Sequence, residues 1–379
     1  MRRIDHPLSG QSLSHQTTVS SFHFGVPGAR PKVYIQASLH AEELPGMLAI
    51  HHLRALLEQA EREDTLLGEV VLVPVANPIG LGQRLDHKSM GRFELGTSEN
   101  FNRNYPDLAS AVFPRVQGRL GPDPRSNVAL VREAVASFVQ GWQPATPLQS
   151  LRKTLVGLAF DADIVLDLHC DFEAVVHLYT ETPCWPQIEP LARLLKARAV
   201  LLATGSGGQS FDECFSGLWW QLAEQLAIAN AGRQPLCPIP QACASTTVEL
   251  RGETDVTHTM AGADARAIFS YLQHLGVLAG DLPPLPEPSC AATPLAGAQT
   301  VRSPTTGIVV FCARPGDYLK AGDPVAEIID PIANTTFTVQ AEVAGVMYAR
   351  THQRYAMSDD KLGNIAGSEP FRTGNLLSA

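Results

Sequence analysis

The 379-residue chain contains no C-x-x-C pair, and its seven cysteines (170, 184, 214, 237, 243, 290 and 312) are scattered and odd in number. This excludes a disulfide framework and a cysteine zinc site, and predicts free thiols in a reducing compartment. No apolar run approaches the roughly 20 residues of a membrane-spanning helix. Met1-Arg2-Arg3-Ile4-Asp5-His6-Pro7 leads into no apolar stretch of the signal-peptide kind. A cytoplasmic protein without a membrane partner is the expectation. A surplus of positive charge is also missing. The formal net charge of −9 argues against nucleic acid or an anionic membrane as partner, while leaving small anionic substrates open.

What is present is globular in composition, with 45% hydrophobic and 18% charged residues. The length suits one large domain and one small one. Apolar runs rich in Val, Ile and Leu at 32–38, 69–76, 163–168, 197–203 and 245–250 read as strands buried on both faces. Between them lie helix candidates: one opened by Pro45 and running toward Gln59, then 127–140, 148–160, 187–198, 218–229 and 261–275. The alternation predicts an α/β domain over residues 1–280, with a mostly parallel mixed sheet flanked by helices. Residues 281–299 begin with the proline-rich run Asp281-Leu-Pro-Pro-Leu-Pro-Glu-Pro-Ser and read as a semi-rigid linker. From 300 to 379 the text becomes short β-runs punctuated by Gly and Pro. A weak internal repeat there (Thr306-Gly307-Ile308-Val309 against Ala344-Gly345-Val346-Met347) suggests a small all-β sandwich barrel.

Chemistry concentrates at predicted strand ends. Ser38-Leu39-His40-Ala41-Glu42-Glu43 follows the first strand, and Asp163-Ile-Val-Leu-Asp-Leu168 ends on His169. Two His and one Glu at the carboxyl lip of a sheet would form an open three-ligand site of the kind catalytic zinc occupies, with a position left for water. Two further motifs accompany them: Phe101-Asn102-Arg103-Asn104-Tyr105-Pro106, and the strand Thr246-Thr247-Val248-Glu249-Leu250-Arg251. The pair His51-His52 sits on the helix after Pro45, where adjacent residues do not share a face, and reads as unrelated to a metal.

In this order the four motifs resemble the zinc metallocarboxypeptidase clan and, within it, the succinylglutamate desuccinylase/aspartoacylase family, over most of residues 30–280. The resemblance implies that His40, Glu43 and His169 ligate one zinc ion per chain and that Glu249 is the general base and acid. It implies that Asn102 and Arg103 grip a substrate carboxylate, and that Arg92 stabilises the oxyanion, with Arg84 as the alternative. The clan usually carries an Asp two residues before the Asn of the Asn-Arg pair, to orient a zinc histidine; Asn100 stands there instead. Residues 303–330 resemble a biotinyl/lipoyl carrier domain, but the tip Asp330-Pro-Ile-Ala-Asn-Thr-Thr336 has no lysine to modify. The expected activity is zinc-dependent removal of an acyl group from an N-acyl amino acid or similar small molecule. A carboxypeptidase acting on short peptides and a non-catalytic metal-binding or assembly protein are the alternatives. A homo-oligomer remains open.

Overall fold

The computed structural model describes every residue except 11–12, 231–236 and 378–379. The apolar runs become the centre of a nine-stranded sheet. Its strands are β1 (Arg2–Pro7), β2 (Thr18–Phe24), β3 (Lys32–Ala37), β4 (Glu69–Val73), β7 (Ile164–Asp171), β9 (His177–Glu181), β10 (Ala199–Ala203), β11 (Ala244–Gly252) and β12 (Ala292–Pro294), in the order β1-β2-β4-β3-β7-β11-β9-β10-β12. β4, β3, β7 and β11 run parallel; β2 and β9 enter antiparallel at either side of them. The mixed, mostly parallel sheet flanked by helices is the expected fold class. β5 (Arg84–Leu85) and β6 (Lys88–Ser89) form an exposed ribbon, while β8 (Glu173–Ala174) leaves the sheet after β7.

Eight α-helices are described: α1 (Pro45–Arg62), α2 (Pro78–Leu81), α3 (Leu108–Val116), α4 (Pro124–Gly141), α5 (Pro147–Ala159), α6 (Trp185–Leu194), α7 (Phe211–Asn230) and α8 (His258–His274). Proline opens α1, α4 and α5 at the first turn, where its missing N–H costs no hydrogen bond. Asp123 caps α4 and Thr257 caps α8, each accepting from a backbone N–H three residues on. α1, α6 and α8 bury their apolar faces on one side of the sheet, against Val33, Ile35, Leu166 and Val248. α3, α4, α5 and α7 cover the other side, around Tyr34, Val71 and Val165. Each fully buried Leu, Ile or Phe in these layers contributes about 1.5–3 kcal/mol.

The stretch read as a linker is held to the large sheet. β12 pairs with β10, and Arg193 Nε donates to the Pro286 carbonyl at 2.7 Å. Beyond it, β13 (Ala298–Arg302), β15 (Tyr318–Leu319), β18 (Gly345–Arg350) and β20 (Lys361–Gly367) form one antiparallel sheet. β14 (Gly307–Phe311), β16 (Pro324–Asp330), β17 (Thr335–Gln340) and β19 (Tyr355–Ala356) form a second, and the two enclose a core of Val301, Val309, Val325, Ile328, Met347 and Ile365. β8 pairs with β18, so the first of these sheets is stitched to the strand that leaves β7. Glu173 on β8 accepts from Arg350 and Arg354, both at 2.6 Å.

Candidate metal centre and active site

β3 ends at Ala37, and Ser38 follows in the left-handed region (φ 63°), a conformation that costs a residue bearing a Cβ and turns the chain sharply. The turn brings His40 and Glu43 to face β7. Gly46, in the first turn of α1, makes the approach possible: a Cβ there would lie 2.9 Å from those of both Ala37 and Leu168. On β11, Glu249 is in register with His169 of β7, so their side chains emerge on the same face of the sheet.

His40 Nδ1 lies 3.0 Å from Glu43 Oε1, and His169 Nδ1 lies 2.7 Å from Glu43 Oε2. The ligand atoms of the three all fall within 4.8 Å of one another, and all three residues are buried. The far nitrogen of His40, Nε2, is hydrogen-bonded to Asn100 Oδ1 at 2.9 Å, while His169 Nε2 lies 2.9 Å from Asp167 Oδ2 as an ion-pair contact and 3.5 Å from Asn102 Nδ2. An imidazole donating from Nε2, as His40 does to Asn100, presents a lone pair at Nδ1, which is what a metal requires. The donor set therefore fits a metal, with two nitrogens and a carboxylate converging and a carboxylate charge standing behind His169.

The electrostatics are those of a buried mixed cluster. Burial, helped by the Arg92 charge, depresses His40 to about 4. Burial also opposes charge on His169, but the Asp167 and Glu43 carboxylates outweigh it and raise its pKa well above the usual value. Glu43 is held well below the carboxylate range, because the two imidazoles overcome its burial. Glu249 is pushed up to about 8 by burial and then by the Glu43 charge, and its Oε2 has no hydrogen-bond partner. It lines the cleft beside the triad. A carboxyl group with a pKa near neutrality can both take and return a proton.

The other expected residues surround the same cleft, which has a volume of about 1130 Å³ counted to its open mouth. Arg92, 40% exposed at the rim, donates to Glu43 Oε1 at 3.2 Å. Asn102 is fixed at both ends: its N–H donates to Asn100 Oδ1, and its own Oδ1 accepts from the Phe211 N–H, both at 2.8 Å. Arg103 donates to the Asn102 carbonyl at 2.7 Å and lies near the Asp212 and Glu213 charges. Arg84 stands on the exposed ribbon β5–β6 and does not line the cleft. His51 and His52 stay on the outer surface of α1, where His52 meets His258 rather than the triad.

Three further groups belong to the site without being marked by any of the sequence motifs. Asp167 stands behind His169 as an ion-pair partner, and its signal was the i, i+2 spacing that puts both on one face of a strand. Glu181, Asp212 and Glu213 line the cleft away from the triad. Lys361 and Leu377, both far along the chain, also line it. The terminal segment reaches it because Leu376 N–H donates to the Ser206 carbonyl at 2.8 Å and Arg372 Nη2 donates to the Leu376 carbonyl at 2.6 Å.

Residues 29–117 match the family model of the succinylglutamate desuccinylase/aspartoacylase catalytic domain. A succinylglutamate desuccinylase/aspartoacylase family protein from Shewanella amazonensis has a similar structure, with a TM-score of 0.82, 26% identity, and coverage of 97% of this chain and 98% of that one. Over residues 29–117, then, this chain is similar to the succinylglutamate desuccinylase/aspartoacylase catalytic domain, and its whole fold is similar to that of a protein of this family. A second relative in this family, from Shewanella frigidimarina, aligns with a TM-score of 0.82 at 24% identity over 97% of both chains. A third, from Rhodobacter sphaeroides, aligns at 0.64 and 16% identity over 97% of this chain and 96% of that one; at such identities these two speak for the fold alone. No curated protein matches the sequence. In this fold a His-His-Glu cluster able to hold a metal is set at the carboxyl edge of the sheet, and Lys361 and Leu377 of the C-terminal region line its cleft.

Proposed function

We propose that the protein is a zinc-dependent hydrolase that removes an acyl group from the amine of an N-acyl amino acid. The observation that carries this reading is the convergence of ligand atoms of His40, Glu43 and His169 within 4.8 Å, beside a half-buried Glu249. A zinc ion held by those three would lower the pKa of a water to about 7 and polarise the scissile carbonyl.

The chain's own residues supply the rest. Glu249 takes a proton from the attacking water and delivers it to the leaving amine nitrogen. Arg92, at the rim beside Glu43, offsets the negative charge that develops on the carbonyl oxygen, a contribution of a few kcal/mol, about 10²–10³-fold in rate. Asn102 is held rigidly between the Asn100 side chain and the start of α7, and with Arg103 it receives the substrate carboxylate. The backbone of Gly208 and Gln209 accepts from the Asn104 and Tyr105 N–H groups, which anchors this binding edge to the loop before α7.

The test is metal analysis of the purified protein, followed by amine release from N-acetyl, N-succinyl and N-formyl amino acids. Zinc at one equivalent with turnover of at least one series supports the reading. Stoichiometric zinc with release only from C-terminal peptide bonds would replace it with the carboxypeptidase alternative, and no bound metal would defeat both.

A further inference from the structure

The cleft does not end at the metal centre. It continues along the face of β11, past Thr247, to the far end of β9, under the first turn of α7. Thr180 pairs with Thr246 in the antiparallel β9–β11 ladder, so Glu181 lies one register step beyond, about four residues from Glu249, or roughly 13 Å along the strand. Side chains from both ends reach inward and shorten that span.

Three carboxyl groups line this end of the cleft: Glu181, Asp212 and Glu213. Two are partly satisfied by the protein. Asp212 Oδ1 accepts from the Ser210 hydroxyl at 2.6 Å, and Glu213 Oε1 accepts from the Ser206 N–H at 2.8 Å. Glu181 is different. It is 2% exposed, its Oε1 accepts from Trp220 Nε1 at 3.0 Å and from the Gly205 N–H at 3.3 Å, and its Oε2 has no hydrogen-bond partner. The nearby Ser216 hydroxyl donates to the Asp212 carbonyl at 3.4 Å, and it stands close enough to Glu181 to favour the charged form without overcoming its burial. Arg103 lies near Asp212 and Glu213, while the charges that act on Glu181 are those of the acids Glu213 and Asp212. A buried carboxylate with an open acceptor and no matching charge is costly unless something cationic arrives to pair with it.

We propose that Glu181, with Asp212 and Glu213, forms a subsite for a cationic group on the substrate, so that the preferred N-acyl amino acid carries an ammonium on its side chain. This rests on the deacylase reading and narrows it. The acyl carbon sits at the metal centre, the α-carboxylate at Arg103, and the side chain extends under α7 to place its ammonium at Glu181 Oε2. Burial pushes the Glu181 carboxyl up to about 7, with the Glu213 charge adding to it, which is the state expected of the subsite while no cation is bound.

The test compares kcat/KM for Nα-acetyl-lysine, Nα-acetyl-ornithine, Nα-acetyl-norleucine and Nα-acetyl-glutamate on the zinc-loaded protein. The lysine or ornithine derivative is expected to exceed the norleucine derivative by at least about tenfold, and E181Q to lower that ratio by a similar factor. E213Q is the second variant, expected to lower the same ratio less. Calorimetric binding of free lysine against free norleucine reads the subsite without turnover, and lysine is expected to bind more tightly. Equal or better turnover of the norleucine or glutamate derivative overturns the subsite and leaves the deacylase intact. Absence of turnover on all four, with lysine still bound preferentially, overturns the deacylase reading and leaves the cation subsite standing. Equal binding of lysine and norleucine overturns the subsite whatever the kinetics.

Discussion

Asp167 and His169 are two residues apart on β7, and the Oδ2 of one lies 2.9 Å from the Nε2 of the other. The counterpart for His40 is the neutral Oδ1 of Asn100 at the same distance. One candidate ligand is thus backed by a charge and the other by a dipole. Asp167→Asn is expected to weaken zinc affinity by about 10–100-fold, while Asn100→Asp should strengthen it. Competition against a chromophoric chelator measures both. An unchanged affinity in Asp167→Asn would mean that the contact does not tune the ligand.

Glu249→Gln should retain stoichiometric zinc and lose at least about a hundredfold in kcat, the usual scale of general acid–base catalysis. His40→Ala should lose the zinc itself. Elemental analysis alongside single-turnover kinetics separates the two roles. A glutamine variant with normal kcat would move the base elsewhere.

Arg103→Ala is expected to reduce kcat/KM on an N-acyl amino acid by about 30-fold or more, with much less effect on its C-terminal amide. Arg103→Lys should restore only part of the loss, because an ammonium lacks the planar fork. An equal loss on acid and amide would mark Arg103 as structural, held there by Asp212 and Glu213.

His177 provides a pH prediction away from the metal ligands. It is fully buried between β9 and the C-terminal sheets, its ring centroid 4.8 Å from that of Tyr348, and burial lowers its pKa to about 4. The unfolded chain, with a histidine near 6.5, therefore binds more protons than the folded one between these values. Stability from this group is complete above about pH 6.5 and declines as the pH falls toward 4, by on the order of 3 kcal/mol in all. Urea melts at pH 7 and pH 5 measure the slope, and His177→Phe should flatten it. An identical slope in the variant would assign the acid sensitivity to other groups.

Much of the site was legible because its residues stand where buried strands end. β3 and β7 are nearly continuous apolar runs, so a His or Glu at their termini stood out against the background. Asp167 was overlooked because it lies inside such a run, where a polar residue is conspicuous only once a partner is sought two positions away. β1 and β2 were unreadable for a different reason: Arg2-Arg3-Ile4-Asp5-His6-Pro7 is an edge strand with little to bury, so neither composition nor alternation marks it. α7 begins at Phe211, well before the Leu218 expected from its apolar stripe. The cause is tertiary, since Asn102 Oδ1 accepts the Phe211 N–H. That contact places Asp212 and Glu213 on a helical turn inside the cleft, and no local pattern encodes it.

Because Leu377 lines the cleft and Leu376 is tied to Ser206, a stretch of chain remote in sequence from every catalytic motif forms part of the wall that a substrate must pass. Its side chains therefore set the bore of the entrance without touching the chemistry: bulk added at Leu377 should raise KM and leave metal content unchanged.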